Sequence, residues 1–300
     1  MKKIFSLSLL PLLLFIVNSC GVVKDTKSVA TQKSSGENSL LWEISGNELT
    51  KPSYLFGTIH MICENDFFLN ESMKTSFDKA EQLILEVDMD DMQMMMDATM
   101  SLMLPADQSL KDFFSEEDYK KVSAYVKENS GMDIKMVEGM KPFMLMSMMA
   151  EQNASCEATK SYEQEFVKMA KKKSIEIKGV ETFKQQLAIF EEALPDSFIV
   201  KTILNGINNP DEGDDQFAEM ISHYKKQNLN ALANLINSDE QYAENADVLI
   251  NNRNRNWIPI LEKEMAATSS FIAVGAGHLA GKEGVIELLR KQGYSVKPVH

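Results

Sequence analysis

The 300-residue chain carries four histidines, and two of them close the same short pattern. Gly57-Thr58-Ile59-His60 follows the apolar run SYLF, and Gly275-Ala276-Gly277-His278 follows FIAV. A glycine three residues ahead of a histidine lets the backbone turn tightly, and lets another group approach without meeting a Cβ. A histidine just past the C-terminal end of a strand lies where open α/β sheets collect their ligands. One such histidine reads as structural; two in the same context point to one shared site. Imidazoles converging at a sheet edge can bind a metal ion or relay a proton.

Carboxylates stand at comparable places. Glu86 falls late in QLILEVD (82–88), among apolar neighbours, where an unpaired charge is costly. Glu181 directly follows IEIKGV (175–180). Each also has a plainer role, Glu86 as a buried ion-pair member and Glu181 as an acid suited to a helix N-terminus. Arg253 is a candidate partner for either, since a guanidinium holds a carboxylate through two parallel hydrogen bonds. Asp88 is an alternative to Glu86, and Glu64 falls in a loop near His60. No HExxH helix is present, so a metalloprotease reading rests on an unusual site.

These residues can meet only if the chain brings them to one place. LLWEISG and SYLFGTIH, separated by Asn47 and Pro52, read as an antiparallel strand pair beginning at Leu40. A short helix over 71–80 precedes QLILEVD, a strand buried on both faces. The chain is then helical to about Cys156, with Ser115-Glu116-Glu117-Asp118 as a start signal. SYEQEFVKMAKKK (161–173) is an amphipathic helix leading into the strand IEIKGV. Residues 182–265 are mostly helical, with breaks at Pro195, Asn208-Asn209-Pro210 and Pro259. SFIAVGA, a helix over 281–291 and YSVKPV close the chain as strand, helix and strand. No linker interrupts 40–300. One α/β domain is expected, a small mixed central sheet flanked by many helices, with helical insertions between strands.

Ahead of that domain, Lys2-Lys3, the apolar run Ile4 to Val17 and Asn18-Ser19-Cys20-Gly21 resemble a bacterial lipoprotein signal. The run is too short to span a bilayer comfortably. The expectation is a signal peptide over 1–19, acylation of Cys20, and a polar tether over 20–39. Several acyl chains would make a lipid membrane the partner of an exported, anchored lipoprotein, on the periplasmic side or at the outer membrane. A plain secretory signal with an incidental cysteine is the alternative. Cys63 and Cys156 remain; they are expected as two free, partly buried thiols, although an oxidising compartment would let them pair.

Fourteen of the 20 methionines lie between Met89 and Met149. They read as adaptable core packing, with Met92, Met95, Met96, Met100 and Met103 at helical spacing. An apolar substrate surface and a copper site are the alternatives. A net charge of −13 with no basic block argues against a nucleic-acid partner.

Taken in order, LLWEISG, SYLFGTIH, LILEVD, KGVET with Gln186-Leu187, Arg253-Asn254 with Trp257, and FIAVGAGHLAGKEGVIELLRKQGYSVKPV resemble the TraB/GumN family. That family is related to the Tiki proteins, and more distantly to erythromycin esterases and the haem-binding ChaN proteins. The resemblance covers about residues 40–300 and implies a shared α/β fold with both GxxH units at one cleft. Through the Tiki branch it implies a divalent-metal-dependent peptidase, with manganese, cobalt or zinc as the ion. His60 and His278 carry over as metal or catalytic groups, Glu86 and Glu181 as acidic partners, and Arg253 as a structural or oxyanion-stabilising residue. Through the esterase relatives it implies metal-free hydrolysis, a histidine as general base oriented by Glu86. A third reading is a lipoprotein that binds haem, a metal or a partner protein without catalysis.

Overall fold

The computed structural model describes residues 38–152 and 156–300. The apolar leader, Cys20 and the polar stretch up to residue 37 lie outside them. The strands are β1 (Leu41–Ser45), β2 (Ser53–Thr58), β3 (Ile62–Cys63), β4 (Gln82–Val87), β5 (Thr159–Lys160), β6 (Glu176–Glu181), β7 (Ser270–Gly275) and β8 (Ser295–Val299). Six of them form one sheet in the order β6-β4-β7-β2-β1-β8. β6, β4, β7 and β2 run parallel, and β1 pairs antiparallel with β2 and with β8. The fold is α/β, with a mixed sheet and helical insertions between its strands.

Every residue of β2, β4 and β7 is buried, as expected for parallel strands covered on both faces and rich in apolar residues. β8 lies at the sheet's edge, where Pro298 removes no needed ladder donor. The main core gathers on this sheet around Phe56, Phe166, Phe271 and Trp257. The helical insertions build a second core of their own around Val122, Leu145, Phe190, Ile199 and Leu249.

Four expectations are corrected. Ser39, assigned to the tether, is buried, and its hydroxyl donates to the Val299 carbonyl at 2.8 Å, so Ser39 is part of the fold. Pro259 does not end its helix but lies inside Asn252–Ala267. Pro259 and Arg255, whose carbonyl loses its usual donor, are both on the exposed side, where water can take the donor's place.

The methionines divide. Met146 and Met149 are core, as expected, but Met92, Met96, Met100 and Met103 face outward from the helix Met92–Ser101 and its end. That helix buries Ala98, which with Met94 and the following Leu102 packs against Phe183 and Leu187.

The thiols are also corrected: Cys63 and Cys156 form a disulfide, with Cα atoms 5.8 Å apart. Antiparallel pairing of β3 with β5 brings the two segments together. The bridge spans 93 residues of sequence. Replacing both cysteines by serine is expected to cost about 2–4 kcal/mol, read from urea unfolding; a loss within error would mean the bridge is dispensable.

Candidate active site at the C-terminal edge of the sheet

The parallel strands deliver their C-terminal ends to one edge. β2 runs through Thr58 and Ile59 to His60, and β7 passes into a single tight turn, Ala276–His278. Glu86 is the penultimate residue of β4, and Glu181 is the last residue of β6. Two glycines make the convergence possible. A Cβ on Gly57 would lie 3.0 Å from Leu279 Cδ2 and 3.1 Å from Ala276 Cα, so any larger residue there would press the two GxxH units apart by a few tenths of an ångström. A Cβ on Gly179 would lie 2.5 Å from the Asp88 nitrogen, which brings the ends of β6 and β4 within reach of one side chain. The Gly57 N–H donates to the Leu40 carbonyl at 2.9 Å, and Tyr224 donates its hydroxyl to the Gly57 carbonyl at 2.8 Å. Gly277 lies against Ile236.

That side chain is Arg253, which is 2% exposed. It rises from the helix Asn252–Ala267, directly after a π-helical turn over Asp247–Asn251, a widening often found at functional sites. Its NH2 donates to Glu86 at 2.6 Å and to Glu181 at 2.9 Å, and its Nε donates to Glu181 at 3.1 Å. Its NH1 meets the Leu249 carbonyl and His278 Nε2, both at 3.1 Å. A guanidinium has five N–H groups, and these contacts use them all. Of its two inherited roles, structural and oxyanion-stabilising, the geometry favours the first. Arg253 also lies over the Trp257 ring, 5.0 Å from its centroid.

Glu86 is satisfied as fully. The Gly275 N–H donates to Oε1 at 2.8 Å, and Gln186 donates to Oε2 at 2.8 Å. Burial pushes its pKa up, but Arg253 foremost pulls it down to about 2.

The tautomer of His278 follows from its neighbours. Arginine can only donate, so His278 Nε2 accepts, and Nδ1 carries the proton toward Asn254 Oδ1 at 2.7 Å. Burial and the Arg253 charge hold His278 neutral, with its pKa lowered to about 3. Asn254 donates to the His278 carbonyl at 3.2 Å, and Trp257 packs on the ring at 4.4 Å between centroids. His278 is thus locked on both nitrogens.

His60 differs. Its Nδ1 lies 2.7 Å from Glu163 Oε1, a close ion-pair contact rather than an in-line hydrogen bond. Its Nε2 is buried and has no hydrogen-bond partner. Burial alone would lower the pKa of His60, but Glu163, with Glu86 behind it, raises it to about 9. Glu163 is held below its ordinary range: burial opposes this, and His60 outweighs it, with hydrogen bonds from Thr58 at 2.6 Å and Ser161 at 2.7 Å. Near neutral pH the site therefore holds an ion pair whose imidazolium has one N–H to spare.

The sequence candidates Glu86, Glu181, Arg253 and His278 come into direct contact, and His60 and Glu86 are near enough for each to shift the other's titration. Asp88 and Glu64 stay outside; Glu64 pairs with Lys160. The carboxylate oriented on His60 is Glu163, not Glu86. Glu163 was missed because its place after the cap Ser161 reads as an ordinary acidic first turn. A signal was present: Glu163 falls on the side of that helix shared by Phe166 and Ala170, where a carboxylate needs a partner.

A divalent ion held by His60, His278 and a carboxylate does not fit this arrangement. The His278 Nε2 lone pair and both Glu86 oxygens are engaged, and the guanidinium stands as the local cation. Among the described residues no group of three His, Cys, Asp or Glu side chains could hold a metal.

Two curated proteins resemble the chain along most of its length. Metalloprotease TIKI2 of Danio rerio is 22% identical over 87% of this chain and 61% of its own, and Metalloprotease TIKI1 of Xenopus tropicalis is 24% identical over 88% and 62%. The chain spans about three-fifths of the length of these relatives. No solved structure matches it significantly. The model of the TraB/PrgY/gumN family matches residues 40–298, from the residue before β1 into β8, and so takes in every strand and side chain that builds the site: the chain belongs to the TraB/PrgY/gumN family.

Proposed function

We propose that this protein is a hydrolase of peptide bonds in which His60 is the proton-handling group. The observation that carries the reading is the buried, unpartnered Nε2 of His60, backed by Glu163 on the other nitrogen. The names of the relatives support peptides as the substrate class. In this reading the His60 imidazolium gives its Nε2 proton to the leaving nitrogen as the C–N bond breaks. Water has by then added to the carbonyl carbon, and the proton it sheds from the tetrahedral intermediate returns to the imidazole, so the ring ends as it began. Glu163 keeps the ring oriented and favours its charged form, while Arg253 holds Glu86, Glu181 and His278 as the wall behind it. The test is a peptide mixture analysed by mass spectrometry. Cleavage by the wild type and none by His60→Gln is expected; no cleavage by the wild type, with or without added manganese, cobalt or zinc, rejects the reading.

Because the residues do not fit a resident ion, no step is assigned to one. Exhaustive chelation is expected to leave the thermal unfolding midpoint unchanged, since Arg253 already neutralises the buried carboxylates. A fall of several degrees, read by scanning calorimetry, would make a metal part of the fold.

We further propose that the chain is exported and anchored through an acylated Cys20. The leader pattern supports this, and so does the Cys63–Cys156 bridge, since such bridges persist in oxidising compartments. Labelled palmitate should enter the wild type and not Cys20→Ser; equal labelling of both would refute the anchor.

A further inference from the structure

Met92, Met96, Met100 and Met103 succeed one another by four, four and three residues, so they share one side of the helix Met92–Ser101 and its C-terminal turn. They are 75%, 62%, 72% and 40% exposed. A single exposed apolar side chain is ordinary, but a row of four calls for a partner. The helix's other side is already used: Ala98, Leu102 and Met94 pack with Val87, Phe183 and Leu187.

The charge along the row's own segment is one-sided, and Lys141, beside its Met103 end, is paired with Glu191. Residues 88–110 contain Asp88, Asp90, Asp91, Asp97 and Asp107, and no lysine or arginine. Lys171 reaches in to pair with Asp90, while Asp91 and Asp97 remain exposed. Such a surface repels anionic lipid headgroups, and it repels a second copy of a chain whose net charge is −13. It complements a segment that carries lysine or arginine among apolar residues. Methionine suits varied apolar partners, because its unbranched, polarizable side chain re-packs easily. The helix starts six residues after Glu86 and packs on Phe183–Ala193, whose Gln186 donates to Glu86. A segment docked there lies one helix away from the site.

We propose that this methionine-lined, acid-rimmed face docks a cationic amphipathic segment of the peptide substrate. The word substrate rests on the peptidase reading; the docking does not. The test is fluorescence anisotropy of a labelled lysine/leucine peptide with the full chain, beside a glutamate/leucine peptide of the same pattern.

The lysine/leucine peptide is expected to bind, and to bind about tenfold more weakly to Met92→Ser/Met96→Ser/Met100→Ser and to Asp91→Asn/Asp97→Asn. All these positions are exposed, and asparagine keeps the helix cap, so unchanged circular dichroism should accompany the loss. Equal binding of the glutamate/leucine peptide, or unchanged affinity in the methionine variant, overturns the proposal. So does methionine-dependent binding to phosphatidylcholine vesicles, or methionine-dependent self-association, in place of peptide binding. His60→Gln separates the two readings, because it should bind the peptide as the wild type does. Docking without cleavage by the wild type leaves this face standing and rejects the peptidase; cleavage without docking does the reverse.

Discussion

Arg253→Met is expected to destabilise the fold by about 3–5 kcal/mol, the usual cost of stranding a buried charge by removing its partner. Two carboxylates lose their counter-charge at once, and the neutral His278 loses its donor. Arg253→Lys should recover little, because one ammonium cannot reproduce contacts in three directions from a planar fork. Adding Glu86→Gln to Arg253→Met should recover part of the loss, since it removes one of the stranded charges. Urea unfolding measures all three, and a loss below about 1 kcal/mol for Arg253→Met would contradict the keystone role. The acid response has a definite sign. Glu86 titrates at about 2 in the fold against an ordinary 4.5, so its contribution is present above pH 4.5 and is lost as pH falls toward 2. His278 titrates at about 3 against 6.5, so the unfolded chain takes up a proton that the fold refuses, and stability declines from pH 6.5 downward.

The second large effect concerns His60. His60→Gln should lower peptide hydrolysis by roughly 10²–10⁴-fold, the usual worth of a positioned acid or base. The fold should survive at some cost in stability, since Glu163 loses the charge of His60 but keeps its hydrogen bonds from Thr58 and Ser161. Glu163→Gln is the sharper probe. Without the carboxylate, the His60 pKa should fall from about 9, and with it the alkaline limb of the pH–rate profile. Nuclear magnetic resonance of the imidazole reads the same shift without substrate. An unmoved titration in Glu163→Gln would show that the pairing does not control the proton. The raised pKa also implies that the stability from this pair is complete below pH 6.5 and disappears as pH rises through about 9.

The sheet and its edge were legible because the strands are short apolar runs with clear ends, and because two of those runs carry the same terminal pattern. Glu86 could be found as a charge in a buried strand, and Arg253 as a candidate guanidinium for it on a helix. Glu163 was not, because local sequence explains an acid in a helix's first turn without any distant partner. The disulfide stood only as the alternative to free thiols for a related reason: 93 residues separate its cysteines, and the pairing of β3 with β5 joins them. Periodicity found the methionine stripe but could not say which side of the helix faces the core. That was decided by Phe183 and Leu187, which belong to another segment.

The bond from Gly57 to Leu40, and that from Ser39 to Val299, have a consequence for how the molecule hangs. The leading segment joins the fold beside the first GxxH turn, and the final strand ends next to it. Suspended from an acylated Cys20, as proposed, the domain would be hung by the rim of its own cleft. The roughly 18 residues between Cys20 and Asn38 reach at most about 60 Å. Height above the bilayer would then act as a filter, admitting chains that lie close to the surface and passing over those beyond that radius.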